Sequence, residues 1–456
     1  MKNPPLAELS RQLSSGATTS RALVEQALAR IADPGGEGAR VFIRISQTAR
    51  ARADEIDRQR AAGVALPQFA GIPLAIKDLF DVEGEVTSAA SRILADAPPA
   101  TRDAPAVARL RAAGFVFIGR TNMTEFAYSG LGLNPHYGTP LNPFDRATGR
   151  IPGGSTSGGA VAVTDGMAAV SLGTDTGGSC RIPAALTGIV GFKPTANRVP
   201  RQGVVPLSQT LDSIGPLGRS VACCAAVDAI LSGSEPTSLP AVTLRDVRLL
   251  LPTTLVLNDL DATVAHAFQR AVDRLVSAGV IIVREALPEL DQIVQLNSKG
   301  GIAAAEAYAW HRPMLERDAH RYDPRVSSRI LKGREQSDAD LRELLAARAR
   351  MIATIAARTR DYTALVMPTV PIIAPPLSAF ALDADYARLN ALVLRNPALA
   401  NFLDGCGISL PVHEPGDAPV GLMLIGRSGE DRRLLALAAA LEQHLQPTLQ
   451  TVRSKT

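Results

Sequence analysis

Two glycine-rich clusters hold the hydroxyl groups best placed for chemistry in this chain. They are Pro152-Gly153-Gly154-Ser155-Thr156-Ser157-Gly158-Gly159 and Gly173-Thr174-Asp175-Thr176-Gly177-Gly178-Ser179-Cys180-Arg181. Glycine lets backbone approach a ligand closely, so hydroxyls set among glycines are candidates for contact with a reacting group. One such cluster is ordinarily a tight turn; two in close succession argue for a site. Neither matches the G-x-x-x-x-G-K-[ST] phosphate loop, and no strand-G-x-G-x-x-G-helix order is present, which argues against a nucleotide cradle. Upstream, the apolar run Gly71-Ile72-Pro73-Leu74-Ala75-Ile76 reads as a buried strand and ends on Lys77-Asp78, which puts a lysine at the end of a buried strand.

At these residues the sequence resembles the amidase signature family. The likeness runs through Gly71 to Asp78, Arg120-Thr121-Asn122-Met123-Thr124-Glu125-Phe126-Ala127, Gly188-Ile189-Val190-Gly191-Phe192-Lys193-Pro194-Thr195 and Pro419-Val420-Gly421-Leu422-Met423-Leu424-Ile425-Gly426. It covers nearly the whole chain. Carried onto this sequence, the resemblance implies Ser179 as nucleophile, Ser155 as the serine of a cis peptide with Gly154, and Lys77 as base. It implies an oxyanion hole built from the amides of Thr176, Gly177, Gly178 and Ser179. Ser157 stands where the family more often has glycine, and Cys180 where it usually has an aliphatic residue.

The implied chemistry is coherent from first principles. A serine hydroxyl is a weak nucleophile and needs a base within hydrogen-bond reach. Lysine serves only when neutral, and at an unperturbed pKa of ~10.4 about one in 2,500 is neutral at pH 7. Desolvation disfavours the ammonium, so an apolar strand leading to Lys77 supplies the required environment. Ser155 would relay the proton from Ser179 to Lys77 and return it to the departing nitrogen, with an acyl-enzyme between the two steps. The reading is a stand-alone amidase needing no cofactor and no metal. Three alternatives share the scaffold: a carbamate, ureide or ester hydrolase; the glutaminase (A-type) subunit of a tRNA-dependent amidotransferase; and a catalytically silent binding protein. The stretch Asn401 to Pro411 departs from the Asn-x-x-Gly-x-Pro form associated with that glutaminase, which favours the stand-alone enzyme.

Other reactive residues read more plainly. The histidines His136, His266, His311, His320, His413 and His444 form no H-E-x-x-H or other metal pattern and are read as structural or surface residues. His136 lies in the 130–138 loop, expected to border the pocket. Asp175 and Arg181 are expected to form an ion pair that holds the nucleophile loop. Cys180 is read as a small buried side chain, and Lys193 as part of a structural turn with Pro194. Phe126, Tyr128 and Leu131, by their nearness to a matched motif, are the expected substrate-binding residues and suggest an apolar or aromatic acyl side. Tyr308, Trp310 and Met314 fall in a variable region of about 290–400 expected to rim the pocket.

The elements that must position these groups alternate. Amphipathic spacing predicts one or two helices over 5–32, another over 46–62, and later ones near 261–278, 301–317, 337–360 and 430–444. Asp103 is expected to cap a helix that Gly114 closes before the strand 115–118. Further strands are expected at 280–283, 364–366, 407–410 and 420–425, while 151–195 reads as packed loops around two apolar runs. This order predicts an α/β fold, a single large domain over 1–456 with a central mixed β-sheet flanked by helices on both faces, and a signature core at 65–220. The composition agrees: 46% apolar and 20% charged residues, with a net charge of +4 and no basic block, argue against disorder and nucleic-acid binding. Four cysteines without metal spacing point to a reducing compartment, and no 18-residue apolar run or leader pattern is seen, so a cytoplasmic location without membrane contact is expected. The expected partner is a small amide or carbamate, and a homodimer is compatible with the sequence.

Overall fold

In the computed structural model, which describes residues 4–445, eleven strands form one mixed sheet covered by helices on both faces. The ends of the span expected as one domain, 1–3 and 446–456, lie outside the described residues. In chain order the strands are β1 (Phe42–Ile45), β2 (Pro73–Lys77), β3 (Val116–Thr121), β4 (Val170–Asp175), β5 (Val190–Lys193), β6 (Ser213–Gly218), β7 (Arg248–Pro252), β8 (Ile281–Glu285), β9 (Ala364–Pro368), β10 (Cys406–Pro411) and β11 (Gly421–Gly426). Their order across the sheet is β1-β3-β2-β4-β6-β5-β10-β11-β9-β7-β8. The central strands β2, β4, β5, β6 and β11 are buried along their whole length, which is why their sequences run apolar or small without a polar alternation.

Strands β2, β3 and β4 are mutually parallel, with Leu74 opposite Val170 and Ile76 opposite Leu172. This register brings the carboxyl ends of β2 and β4 together, so Lys77 ends beside the last residues of β4. In open α/β sheets, ligands gather beyond the carboxyl ends of parallel strands.

Two expectations need correction. The 151–195 stretch is not loops. It holds the helices Ser157–Thr164 and Arg181–Thr187, with β4 and β5 supplied by the two apolar runs. Its glycines sit where elements touch: a Cβ on Gly158 would lie 2.6 Å from the carbonyl oxygens of both Asn122 and Val41. Nor does Asp103 cap a helix. The helix Pro105–Ala112 begins after Ala104 with proline in its first turn, where the missing N–H costs nothing. The Asp103 carboxylate instead accepts from the Glu83 amide at 2.9 Å and the Arg111 guanidinium at 2.6 Å.

The close helix–strand contact at Gly158 gives a test of this packing. Gly158→Ala is expected to lower stability by about 1–3 kcal/mol, read from the urea midpoint at unchanged m-value; an unshifted midpoint would contradict the contact.

Candidate active site

Lys77 is the last residue of β2 and is fully buried. Its Nζ donates to Ser155 Oγ and to Thr174 Oγ1, both at 2.8 Å. Burial pulls the ammonium down from its ordinary 10.5 to about 8, although Asp175 and Asp212 act in the opposite sense. A pKa of about 8 leaves roughly one lysine in ten neutral at pH 7. Ser155 follows the cis peptide Gly154-Ser155 and immediately precedes the helix-entry residues Thr156 and Ser157.

Ser179 occupies the loop between β4 and the helix Arg181–Thr187, and it lines a cleft of about 890 Å³. The two serine loops are joined through backbone, since the Thr156 amide donates to the Ser179 carbonyl at 3.3 Å. Among the described residues the Ser179 hydroxyl has no hydrogen-bond partner, so it makes no direct bond to Ser155 here.

The loop around Ser179 is held by Asp175. Its carboxylate accepts from the amides of Gly178 at 2.9 Å and Cys180 at 3.1 Å, and from Arg181 Nη2 at 2.9 Å and Nε at 3.0 Å. Asn401 donates to the same residue and accepts from Arg181 Nη2, closing the network. Burial alone would raise the Asp175 pKa, but Arg181 outweighs it and holds the carboxyl at about 2. Gly178 has φ of 132°, and a Cβ there would lie 2.6 Å from Ile182 and Pro397, so the loop requires glycine at this point.

This network engages one of the four amides expected to form an oxyanion hole. The Gly178 amide is occupied by Asp175, whereas the amides of Thr176, Gly177 and Ser179 donate to no protein acceptor among the described residues. Those three residues also line the cleft.

Of the expected substrate-binding residues, Tyr128 lines the cleft. Phe126 and Leu131 do not. Phe126 packs in the core against His311, Trp310 and Tyr322, with ring centroids 4.4–6.1 Å apart, and Leu131 packs with Ile151 and Ile182. Both point inward because their loop is itself buried. His136 lies away from the cleft and pairs with the buried Glu125 at 2.8 Å. Tyr308, Trp310 and Met314 pack against the core, and the 290–400 segment reaches the cleft through other residues, including Ile293, Asn297, Arg329 and Leu392. Cys180 is buried with its thiol pKa raised by desolvation. Lys193, also pulled down to about 8 by burial, donates to the carbonyls of Pro194 and Gly405 at 2.7 and 2.8 Å. Geometry, not basicity, therefore separates the two lysines.

Sequence reasoning missed Asp212, which accepts from Thr176 Oγ1 at 2.6 Å and from the amides of Leu207 and Ser208. Burial raises it to about 6 against those hydrogen bonds. A carboxylate just before the apolar strand β6 was the available signal. Among the described residues no group of three or more His, Cys, Asp or Glu could hold a metal ion, and no helix is long and apolar enough to cross a membrane.

Fold and site together describe an α/β enzyme of the amidohydrolase class. The chain belongs to the Amidase family, which it matches over residues 22–435. It is 36% identical to 2-amino-5-chloromuconic acid deaminase of Comamonas testosteroni, across 86% of each chain. It is 34% identical to the A-type subunit of glutamyl-tRNA(Gln) amidotransferase from Roseiflexus sp. (strain RS-1), across 96% of each. A crystal structure of an amidase superposes with a TM-score of 0.87 at 32% identity, spanning 97% of this chain and all of that one.

The Asp175–Arg181 pair yields a direct test. Asp175→Asn leaves Arg181 buried without its counter-charge and is expected to cost about 3–5 kcal/mol in denaturant unfolding. In the native protein the Asp175 contribution is present above its ordinary pKa of 3.8 and is lost as pH falls toward about 2. An Asn variant as stable as the parent at pH 7 would contradict this role.

Proposed function

We propose that this protein is a stand-alone amide hydrolase that works through a serine acyl-enzyme, with Lys77 as base, Ser155 as proton relay and Ser179 as nucleophile. The observation that carries the reading is the 2.8 Å contact between a fully buried lysine amine and the Ser155 hydroxyl, one loop away from a serine that faces the cleft. In the neutral state of Lys77, the Ser155 hydroxyl gives its proton to Nζ and takes the proton of Ser179. Ser179 Oγ then attacks the amide carbonyl. The negative charge that develops on the carbonyl oxygen is met by the free amides of Thr176, Gly177 and Ser179, and loss of one such donor typically costs ~3 kcal/mol. Collapse of the tetrahedral adduct breaks the C–N bond, and the proton held by Lys77 returns through Ser155 to the leaving nitrogen. Water, activated by the same relay, releases the carboxylic acid and restores Ser179.

A second reading, the glutamine-hydrolysing component of an amidotransferase, is favoured by the 34% identity to such a protein. The departure of Asn401 to Pro411 from the pattern of that component favours the enzyme that acts alone. Carbamates, ureides and esters fit the same acyl-transfer steps. The purified chain assayed by kcat/KM on aryl amides, aliphatic amides, carbamates, esters and glutamine discriminates among these. Turnover of non-glutamine amides without a partner supports the stand-alone enzyme, and activity on glutamine alone supports the amidotransferase component.

Ser179→Ala, Ser155→Ala and Lys77→Ala are each expected to lower kcat by at least about 1,000-fold in a folded protein, since members of a catalytic unit are not additive. Near-parental turnover by Ser179→Ala would reject the nucleophile. Because the base must be uncharged, kcat/KM is expected to fall about tenfold per pH unit below an apparent pKa near 8 and to level off above it. A profile flat from pH 6 to 9 would contradict a lysine base.

A further inference from the structure

We infer that Glu306 is a positioning residue for the oxyanion donors and acts on the Thr176 amide through Ser208 and Asp212. The inference rests on the reading of the Thr176, Gly177 and Ser179 amides as the groups that meet the developing charge. Glu306 stands on the helix Gly301–Asp318, whose first turn supplies Ala303 to the cleft wall. Its carboxylate reaches back to a turn 96–98 residues earlier in the chain.

That turn, 207–212, leads into β6 and is gripped from two sides by carboxylates. From within, Asp212 accepts from the amides of Leu207 at 3.0 Å and Ser208 at 3.1 Å, and from Thr176 Oγ1 at 2.6 Å. From the helix, Glu306 accepts from the Ser208 hydroxyl, from the Thr210 amide at 3.0 Å and from Thr210 Oγ1 at 2.5 Å. Ser208 is fully buried and bonds to both carboxylates, by its amide to Asp212 and by its hydroxyl to Glu306. An unbroken chain of hydrogen bonds therefore joins Glu306, Ser208, Asp212 and Thr176.

The partners of Glu306 set it apart from an ordinary surface carboxylate. Among the described residues it makes no ion pair, and its three bonds all come from neutral groups on this one turn. Backbone outside a regular ladder needs such acceptors to hold its shape. A carboxylate accepts at both oxygens, whereas a glutamine of the same size would set an amide N–H₂ against one of those donors. At the far end, the Thr176 side chain is committed to Asp212 while its amide makes no bond to protein among the described residues, so the aim of that amide follows the placement of Asp212. Aim matters, because a misplacement of about 1 Å at a reacting centre can cost ~100-fold in rate. The same turn brings Leu207 and Leu211 to the cleft, so one clamp sets both a wall and a donor.

The test follows E306A, E306Q, T176V and the E306A/T176V pair on the amide that the parent turns over best. E316A, at an exposed position of the same helix paired with Arg312, is the control. E306A is expected to lower kcat by roughly 30-fold with KM within about threefold, and E306Q by roughly tenfold. E306Q carries the test if E306A does not fold. T176V cuts the chain at its far end, so the double variant is expected to lose no more than the worse single one, where independent effects would multiply. In parallel, hydrogen exchange of the 173–181 segment, read by mass spectrometry, is expected to quicken in E306A and E306Q and to match the parent in E316A. If amides turn over while both Glu306 variants keep kcat within about threefold and leave exchange unchanged, the positioning role falls and the hydrolytic reading stands. Losses that multiply in the double variant overturn the role as well. If no amide turns over but exchange quickens only in the Glu306 variants, the hydrolytic reading falls and the coupling of Glu306 to the Ser179 loop stands.

Discussion

The removal of one amine from water organises this molecule. Lys77 closes a strand whose five residues are all buried, and its amine donates to two hydroxyls, Ser155 on one side and Thr174 on the other. Two carboxylates, Asp175 and Asp212, stand close enough to favour its charged form, yet desolvation prevails and brings the pKa to about 8. That balance depends on Arg181 neutralising Asp175. Without Arg181, the Asp175 charge would favour the ammonium of Lys77 further. The ion pair that shapes the Ser179 loop thus also favours the neutral form of the lysine.

The same network explains how the loop can be rigid while keeping three amides unbonded. Asp175 takes the amides of Gly178 and Cys180, and that fixes the turn. Thr176 is tied by its side chain to Asp212, which leaves its own N–H uncommitted. Preorganised donors of this kind stabilise charge without reorganising at the moment of reaction. The two serine loops meet through the Thr156–Ser179 backbone bond, so Ser155 and Ser179 share one frame.

Much of this was legible in the sequence because the signals are local. A short apolar run ending in lysine reads as a buried strand, and two serine clusters among glycines read as close backbone approaches. The helix at 262–277 carries clear periodicity, with Val264, Ala267, Phe268, Ala271, Val272 and Leu275 on its buried face. The 157–193 helices and strands are hidden, since their glycines and small residues have weak propensity and form structure only through packing on neighbours such as Val41 and Asn122. The bond from the Gly178 amide to Asp175 has no local signal in the sequence. Phe126 and Leu131 stand next to a matched motif, but proximity in sequence does not tell which way a buried loop turns its side chains.

The central claim is that the Lys77 amine loses its proton near pH 8. The chain has few lysines, Lys2, Lys77, Lys193, Lys299, Lys332 and Lys455, so ε-13C-lysine NMR titration can follow each of them. The resonance missing from a Lys77→Met variant is expected to titrate with a midpoint near 8. A midpoint at the ordinary 10.5 would contradict the account.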